Sequence, residues 1–216
     1  MPASIAVLPG SVVGTDDGFT MRRRSTVTVF MTMFTVLACD IFETREPESP
    51  TQAGSNFRPP TQPEVVLDNL QNAISERNTE NYLRSFVDST FSSRRFEFIP
   101  TQEAQSRYFT VFLNWSLDLE REYFENLRSQ TVPSAFSTLI FDDGRFESLQ
   151  SDSAEYNANY RIVFQHNRPD TPTEAKGTVL FYLSTDGRHN WAIHRWVDFK
   201  TGSDFSWSEL KGRFSN

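Results

Sequence analysis

Cysteine occurs once in the 216 residues, at Cys39, so no disulfide can form within the chain. Lysine is nearly as scarce, found only at Lys176, Lys200 and Lys211, and 28 acidic against 21 basic residues give a net charge of −7. An acidic chain without a basic stripe has little grip on phosphates, which excludes nucleic acid as a partner. The histidines, His166, His189 and His194, have no carboxylate or second histidine at metal-ligand spacing, so neither metal nor cofactor is expected. No phosphate-cradling glycine loop, nucleophile elbow or fixed-period repeat occurs. The longest apolar stretch, from about Ser25 to Leu37, falls short of the roughly 20 residues a spanning helix needs. Aromatic residues, by contrast, are plentiful. They make up 14% of the chain, 20 of them Phe, within a 38% hydrophobic total, enough for one packed domain.

The lone cysteine sits in a particular context. Arg22, Arg23 and Arg24 precede the apolar stretch, and small Ala38 directly precedes Cys39, the layout of a secretory signal. Val36, Leu37, Ala38 and Cys39 resemble the lipobox of a bacterial lipoprotein signal, with Leu37 bulkier than is usual at its position. The resemblance implies that the Cys39 thiol is lipidated, with a palmitate-type acyl group added to the new amino terminus, and that residues 21–38 are removed. It also implies a place in the cell envelope, anchored to a membrane and facing the periplasm or the exterior. Residues 1–20 precede a second methionine, Met21, which is the expected start. Two other readings stand beside this one: Cys39 as a plain free thiol, and residues 25–38 as an uncleaved membrane anchor.

Residues 39–62 hold four of the chain's 11 prolines, little apolar periodicity and scattered charge, the composition of a tether. A domain is expected over 63–200, followed by a tail, 201–216. Thr61 and Glu64 have capping-box spacing, and Val66, Leu70, Ala73 and Ile74 predict a helix over 63–76. Asn78 predicts the cap of a second helix carrying Tyr82, Leu83, Phe86 and Val87. FEFIP, residues 96–100, reads as a short strand. Phe112, Trp115, Leu119 and Tyr123 predict one long helix between about 108 and 128. Four or five strands then follow, with hairpin turns expected at Asp143-Gly144 and Thr185-Asp186-Gly187. Phe205 and Trp207 of the tail are expected to fold back over the sheet or to form a subunit contact. The fold class is therefore α+β, a curved antiparallel sheet packed on three helices from the N-terminal half.

This order resembles the nuclear transport factor 2-like group, the cone-shaped, cystatin-like α+β fold that includes SnoaL-like proteins and ketosteroid isomerase. The resemblance covers about residues 62–200. It rests on LQNAISERNTENYLRSFVDSTF, similar to the helix-turn-helix opening of that group, and on WAIHRWVDF, similar to its closing strand. Ketosteroid isomerase implies a proton-transferring tyrosine and aspartate. Here Leu70 stands at the first position and Ile99, or Phe98 with a one-residue slip, at the second. None of these can exchange a proton, and the chain reads as non-catalytic. The cone implies a pocket, with Trp115, Tyr160, Ile162, Phe164, His166, Tyr182, Trp191 and Arg195 as its candidate lining. The expected role is binding of a small apolar ligand or a protein partner at the membrane, with a homodimer through the sheet as one assembly. The alternative is an isomerase or hydrolase using His166, Glu97 or Tyr160 as acid or base. An open cavity with converging polar groups favours a ligand binder or an enzyme; a cone filled by side chains favours an interaction module.

Overall fold

The computed structural model describes residues 54–215; the expected signal, Cys39 and most of the expected tether lie outside the described residues. Helix α1, Pro63–Glu76, opens with proline in its first turn, where a missing N–H costs nothing. It buries Val66, Leu70, Ala73 and Ile74 and ends at Arg77, whose left-handed backbone (φ 52°) returns its N–H to the Ala73 and Ile74 carbonyls. The expected Thr61 cap does not form. Gln62 is the capping residue and makes no side-chain cap bond, while the Thr61 N–H donates to the Pro59 carbonyl. Helix α2, Thr79–Leu83, is capped as expected, with Asn78 Oδ1 accepting from the Asn81 N–H at 3.1 Å.

Strand β1, Glu97–Ile99, follows. The single helix expected over 108–128 is instead three: α3 Gln102–Arg107, α4 Phe109–Phe112 and α5 Leu117–Ser129. Ser116 is extended and its Oγ caps Leu119 N–H, so the chain restarts there. The apolar stripe survives the break because Phe112, Trp115 and Tyr123 are all still buried. Strands β2 Ser137–Leu149, β3 Ser153–Phe164, β4 Glu174–Thr185 and β5 Trp191–Phe199 then form a meander. Spatial order is β1-β5-β4-β3-β2, with β1 parallel to β5 and every other pair antiparallel. The sheet is thus mixed rather than antiparallel throughout.

Asp143-Gly144 is not a hairpin. It lies inside β2, at a bulge between Asp142 and Arg145, with Asp143 at φ 54°. A Cβ on Gly144 would come within 1.9 Å of the Tyr156 hydroxyl, so the glycine admits a cross-strand tyrosine. The Asp186 turn forms as expected, its Oδ1 accepting from the Arg188 and Asn190 N–H groups.

Strand alternation gives the sheet two unlike faces. Inward lie Phe98, Trp196, Phe181 and Tyr156, aligned across β1, β5, β4 and β3; their outward neighbours in register are Glu97, Arg195, Tyr182 and Glu155. A sixth helix, α6 Trp207–Phe214, covers part of the inner face. Ser206 and Glu209 cap it reciprocally, Ser206 Oγ accepting from Glu209 N–H at 3.2 Å and Glu209 Oε2 from Ser206 N–H at 3.0 Å. The end of the proline-rich segment is also bound. Trp191 N–H donates to the Pro60 carbonyl at 2.7 Å, and Asn69 accepts from the Arg58 N–H while donating to its carbonyl. The domain therefore begins before residue 63. Among the described residues no helix is long and apolar enough to cross a membrane.

Candidate functional site: the interior of the curved sheet

The buried stripe of α5 carries Tyr123, Phe124 and Leu127 at helical spacing from Glu120, which turns that carboxylate inward with the apolar residues. A lone buried carboxylate would be very costly. This one is fully satisfied. Lys211 of α6 places its Nζ 2.5 Å from both carboxylate oxygens. Tyr82 O–H of α2 donates to Oε1 at 2.5 Å, and Trp115 Nε1–H donates to Oε2 at 2.7 Å. Both side chains of the ion pair are 0% exposed. The lysine's remaining surroundings are aromatic, with Nζ 3.8 Å from the Trp196 ring centroid and 4.0 Å from that of Phe98, inside cation–π range. Burial pulls the Lys211 ammonium down to about 8, against the attraction of Glu120. Burial first, and then the Glu120 charge, push the Tyr82 hydroxyl well above its ordinary value, so it stays a donor.

A second buried carboxylate, Asp198 on β5, holds the start of α6 without any ion-pair hydrogen bond. Its Oδ2 accepts from Ser208 N–H at 2.8 Å and Ser208 O–H at 2.5 Å, and its Oδ1 from Tyr160 O–H at 2.9 Å. Tyr160 in turn accepts from Trp207 N–H at 2.7 Å, and Trp207 Nε1–H reaches the Tyr123 hydroxyl at 3.0 Å. Burial raises the Asp198 carboxyl, opposed by these donors.

The side chains of α6 therefore fill the concavity. Trp207, Leu210, Lys211 and Phe214 are at most 3% exposed. Close fit extends to the backbone, since a Cβ on Gly212 would lie 2.3 Å from the Tyr108 ring.

Of the residues singled out from the sequence, Trp115, Tyr160, Ile162 and Phe164 lie buried in this interior. Trp191 is buried at the start of β5 and lines a surface cleft. Tyr182 and Arg195 are on the other face: Arg195 pairs with Glu97 at 3.2 Å and stands over the Tyr182 ring. Their expected place in the pocket is corrected by the β-strand alternation that turns Phe181 and Trp196 inward. His166 is buried, its Nε2 3.1 Å from the Pro172 carbonyl and its ring edge-on to Phe214; burial lowers its basicity. Glu97 is outside, Tyr160 is bonded to Asp198, and His166 faces Pro172. The structure does not bring the three together. At the positions compared with ketosteroid isomerase, Leu70 is fully buried and Phe98, rather than Ile99, is the inward residue of β1.

Glu120, Lys211 and Asp198 were absent from the sequence-derived candidates. The helix that brings them together had a legible signature in Ser206-Trp-Ser-Glu209, a capping box followed by Leu210 and Phe214 at helical spacing from Trp207. Among the described residues no group of three potential metal ligands occurs. A cleft of about 410 Å³ opens where Phe57 and Pro60 meet α2 and the β4–β5 turn; Arg84, Arg121 and Arg188 line it together with Leu83, Phe86 and Trp191.

No family model matches the chain, and no curated protein matches it. Solved structures do. The neighbours include nuclear transport factor 2-like proteins. A candidate dehydratase of that family from Streptomyces avermitilis is 7% identical, over 67% of this chain and 96% of its own, at a TM-score of 0.49. A nuclear transport factor 2-like protein from Cytophaga hutchinsonii is 13% identical, over 65% and 98%, at 0.46. The beta subunit of a benzoate 1,2-dioxygenase from Burkholderia mallei is 12% identical, over 63% and 87%, at 0.45. The α+β sheet with packed helices described above is the architecture expected from the sequence.

Proposed function

We propose that this chain is a membrane-tethered, non-catalytic interaction module, lipidated at Cys39, that binds a protein partner through its surface. The observation that carries the reading is the filled interior: Trp207, Leu210, Lys211 and Phe214 occupy the space in which an apolar ligand would lie. A pocket binds small molecules by offering vacant, mostly apolar volume with a few polar groups. Here the two interior carboxylates, Glu120 and Asp198, are already satisfied by the chain itself. The cleft beside Phe57 has the better composition for a macromolecular contact, since the Arg84 and Arg188 guanidiniums lie over Phe57 and Phe91 at 3.5 and 3.7 Å, and arginine with aromatics is the usual make-up of an interface centre.

Native mass spectrometry of the protein extracted from membranes tests the reading. The expected species is the polypeptide plus lipid covalently attached at Cys39, with no other small molecule. A stoichiometric, non-covalent apolar ligand would overturn it. Radiolabelled palmitate incorporation, lost in Cys39→Ala, tests the anchor separately, and absence of label from the wild type would end that part.

A further inference from the structure

We propose that the Glu120 pocket is a binding site for a primary alkylammonium group, and that Lys211 is its resident occupant. This goes beyond the surface-binding role and concerns the interior alone. The receptor is built entirely by elements other than α6. Glu120 and Tyr123 come from α5, Tyr82 from α2, Trp115 from the turn before α5, Phe98 from β1 and Trp196 from β5. The carboxylate also accepts from Tyr82 and Trp115, at 2.5 and 2.7 Å, so two donors outside α6 orient it. Its two oxygens take two of the ammonium's three N–H groups. Ring faces of Trp196, Phe98, Trp115 and Tyr123 surround the nitrogen at 3.8 to 5.4 Å. The indole N–H of Trp196 meets no partner, so this residue contributes its ring alone.

A carboxylate behind an aromatic cage selects a cation on an alkyl stem over a neutral chain of equal length. Such a pair is not needed to fill volume, because apolar side chains do that at equal or lower free energy. Its chemistry is that of recognition. The occupant arrives on an element that could leave without dismantling the sheet, since β5 is paired on both sides by β4 and β1. Residues 201–204 of the connection are exposed, with Gly202 at φ 56°.

The test uses the full chain carrying Lys211→Ala, which removes three methylenes and the ammonium, a void the shape of n-propylammonium. Calorimetric titration at pH 7 with n-propylammonium chloride should show saturable binding, and n-propanol at the same concentrations should bind at least tenfold more weakly. Adding Glu120→Gln to the variant should weaken ammonium binding by about tenfold or more, the worth of a charge-assisted bond. Equal binding of propanol and propylammonium, or binding of neither by the folded variant, overturns the proposal. If Lys211→Ala does not fold alone, its refolding yield becomes the readout. Recovery with propylammonium but not propanol supports the site, and recovery with both equally or with neither overturns it. A co-purifying apolar ligand would sink the surface-binding role without touching this result.

Discussion

Two buried carboxylates hold α6, and they do so by different means. Glu120 meets a lysine ammonium and two neutral donors. Asp198 meets only neutral donors, two from Ser208 and one from Tyr160. Asp198 acts like a capping residue supplied from a strand, taking up an N–H that the first turn of a helix leaves free. Glu120 acts on a side chain at the middle of α6 and commits a full charge on each partner. The first arrangement fixes where the helix starts; the second specifies which residue may follow, and it is the more vulnerable to loss of either partner.

Breaking the ion pair from one side should have the largest effect. Glu120→Ala leaves an ammonium buried without its counter-charge, and urea denaturation should show a loss of about 3–5 kcal/mol. Removing both charges together, as Glu120→Gln with Lys211→Met, should leave stability within about 1 kcal/mol of wild type or raise it. A double variant as damaged as the single one would contradict the comparison. Asp198→Ala should cost about 2–3 kcal/mol, through the Ser208 and Tyr160 donors it strands, and should increase amide exchange first in residues 207–214.

The pH dependence separates the two sites more finely. Lys211 releases its proton at about 8 in the folded protein and at 10.5 when exposed. Because the folded value is the lower, its contribution is fully present above 10.5 and is lost as the pH falls through 8. Wild type should thus gain on the Glu120→Gln/Lys211→Met variant by about 1–2 kcal/mol between pH 8 and 10. Above pH 10 the buried Tyr82, Tyr123 and Tyr160 hydroxyls, all raised chiefly by burial, work against the folded state. Chemical denaturation at half-unit pH steps checks both limbs. Ser206→Ala, which opens the capping box of α6, should cost about 1 kcal/mol. The smallest effect concerns the outer face. Burial, with Arg94 and Arg195 beside it, lowers His194 from 6.5 to about 4. Its contribution is present above 6.5 and lost as the pH falls through 4. His194→Gln should flatten that acid limb by less than about 1 kcal/mol, given partial solvent screening.

Elements written in local chemistry were legible in the chain. The α1 stripe, the Asn78 cap, the FEFIP strand and the Asp186 turn all form where their residues indicate. Errors arose where one local signal served another purpose. Asp143-Gly144 has the composition of a hairpin turn but makes a bulge, because the strand continues past it to pair with β3. Ser116 cut a continuous apolar stripe into separate helices. Tyr182 and Arg195 read as pocket residues in the sequence because a strand's alternation does not itself say which face is covered.

The sequence by itself determined the helical hairpin, the meander and the α+β class, because periodicity and capping act between residues a few positions apart. It also placed a single cysteine behind three arginines and an apolar stretch. Only the tertiary structure decided what the interior contains. Glu120 and Lys211 are 91 positions apart, and Tyr160 and Trp207 are 47 apart. No local pattern couples such residues. What couples them is the cost of leaving a charge or an N–H unsatisfied once the sheet has curved around it.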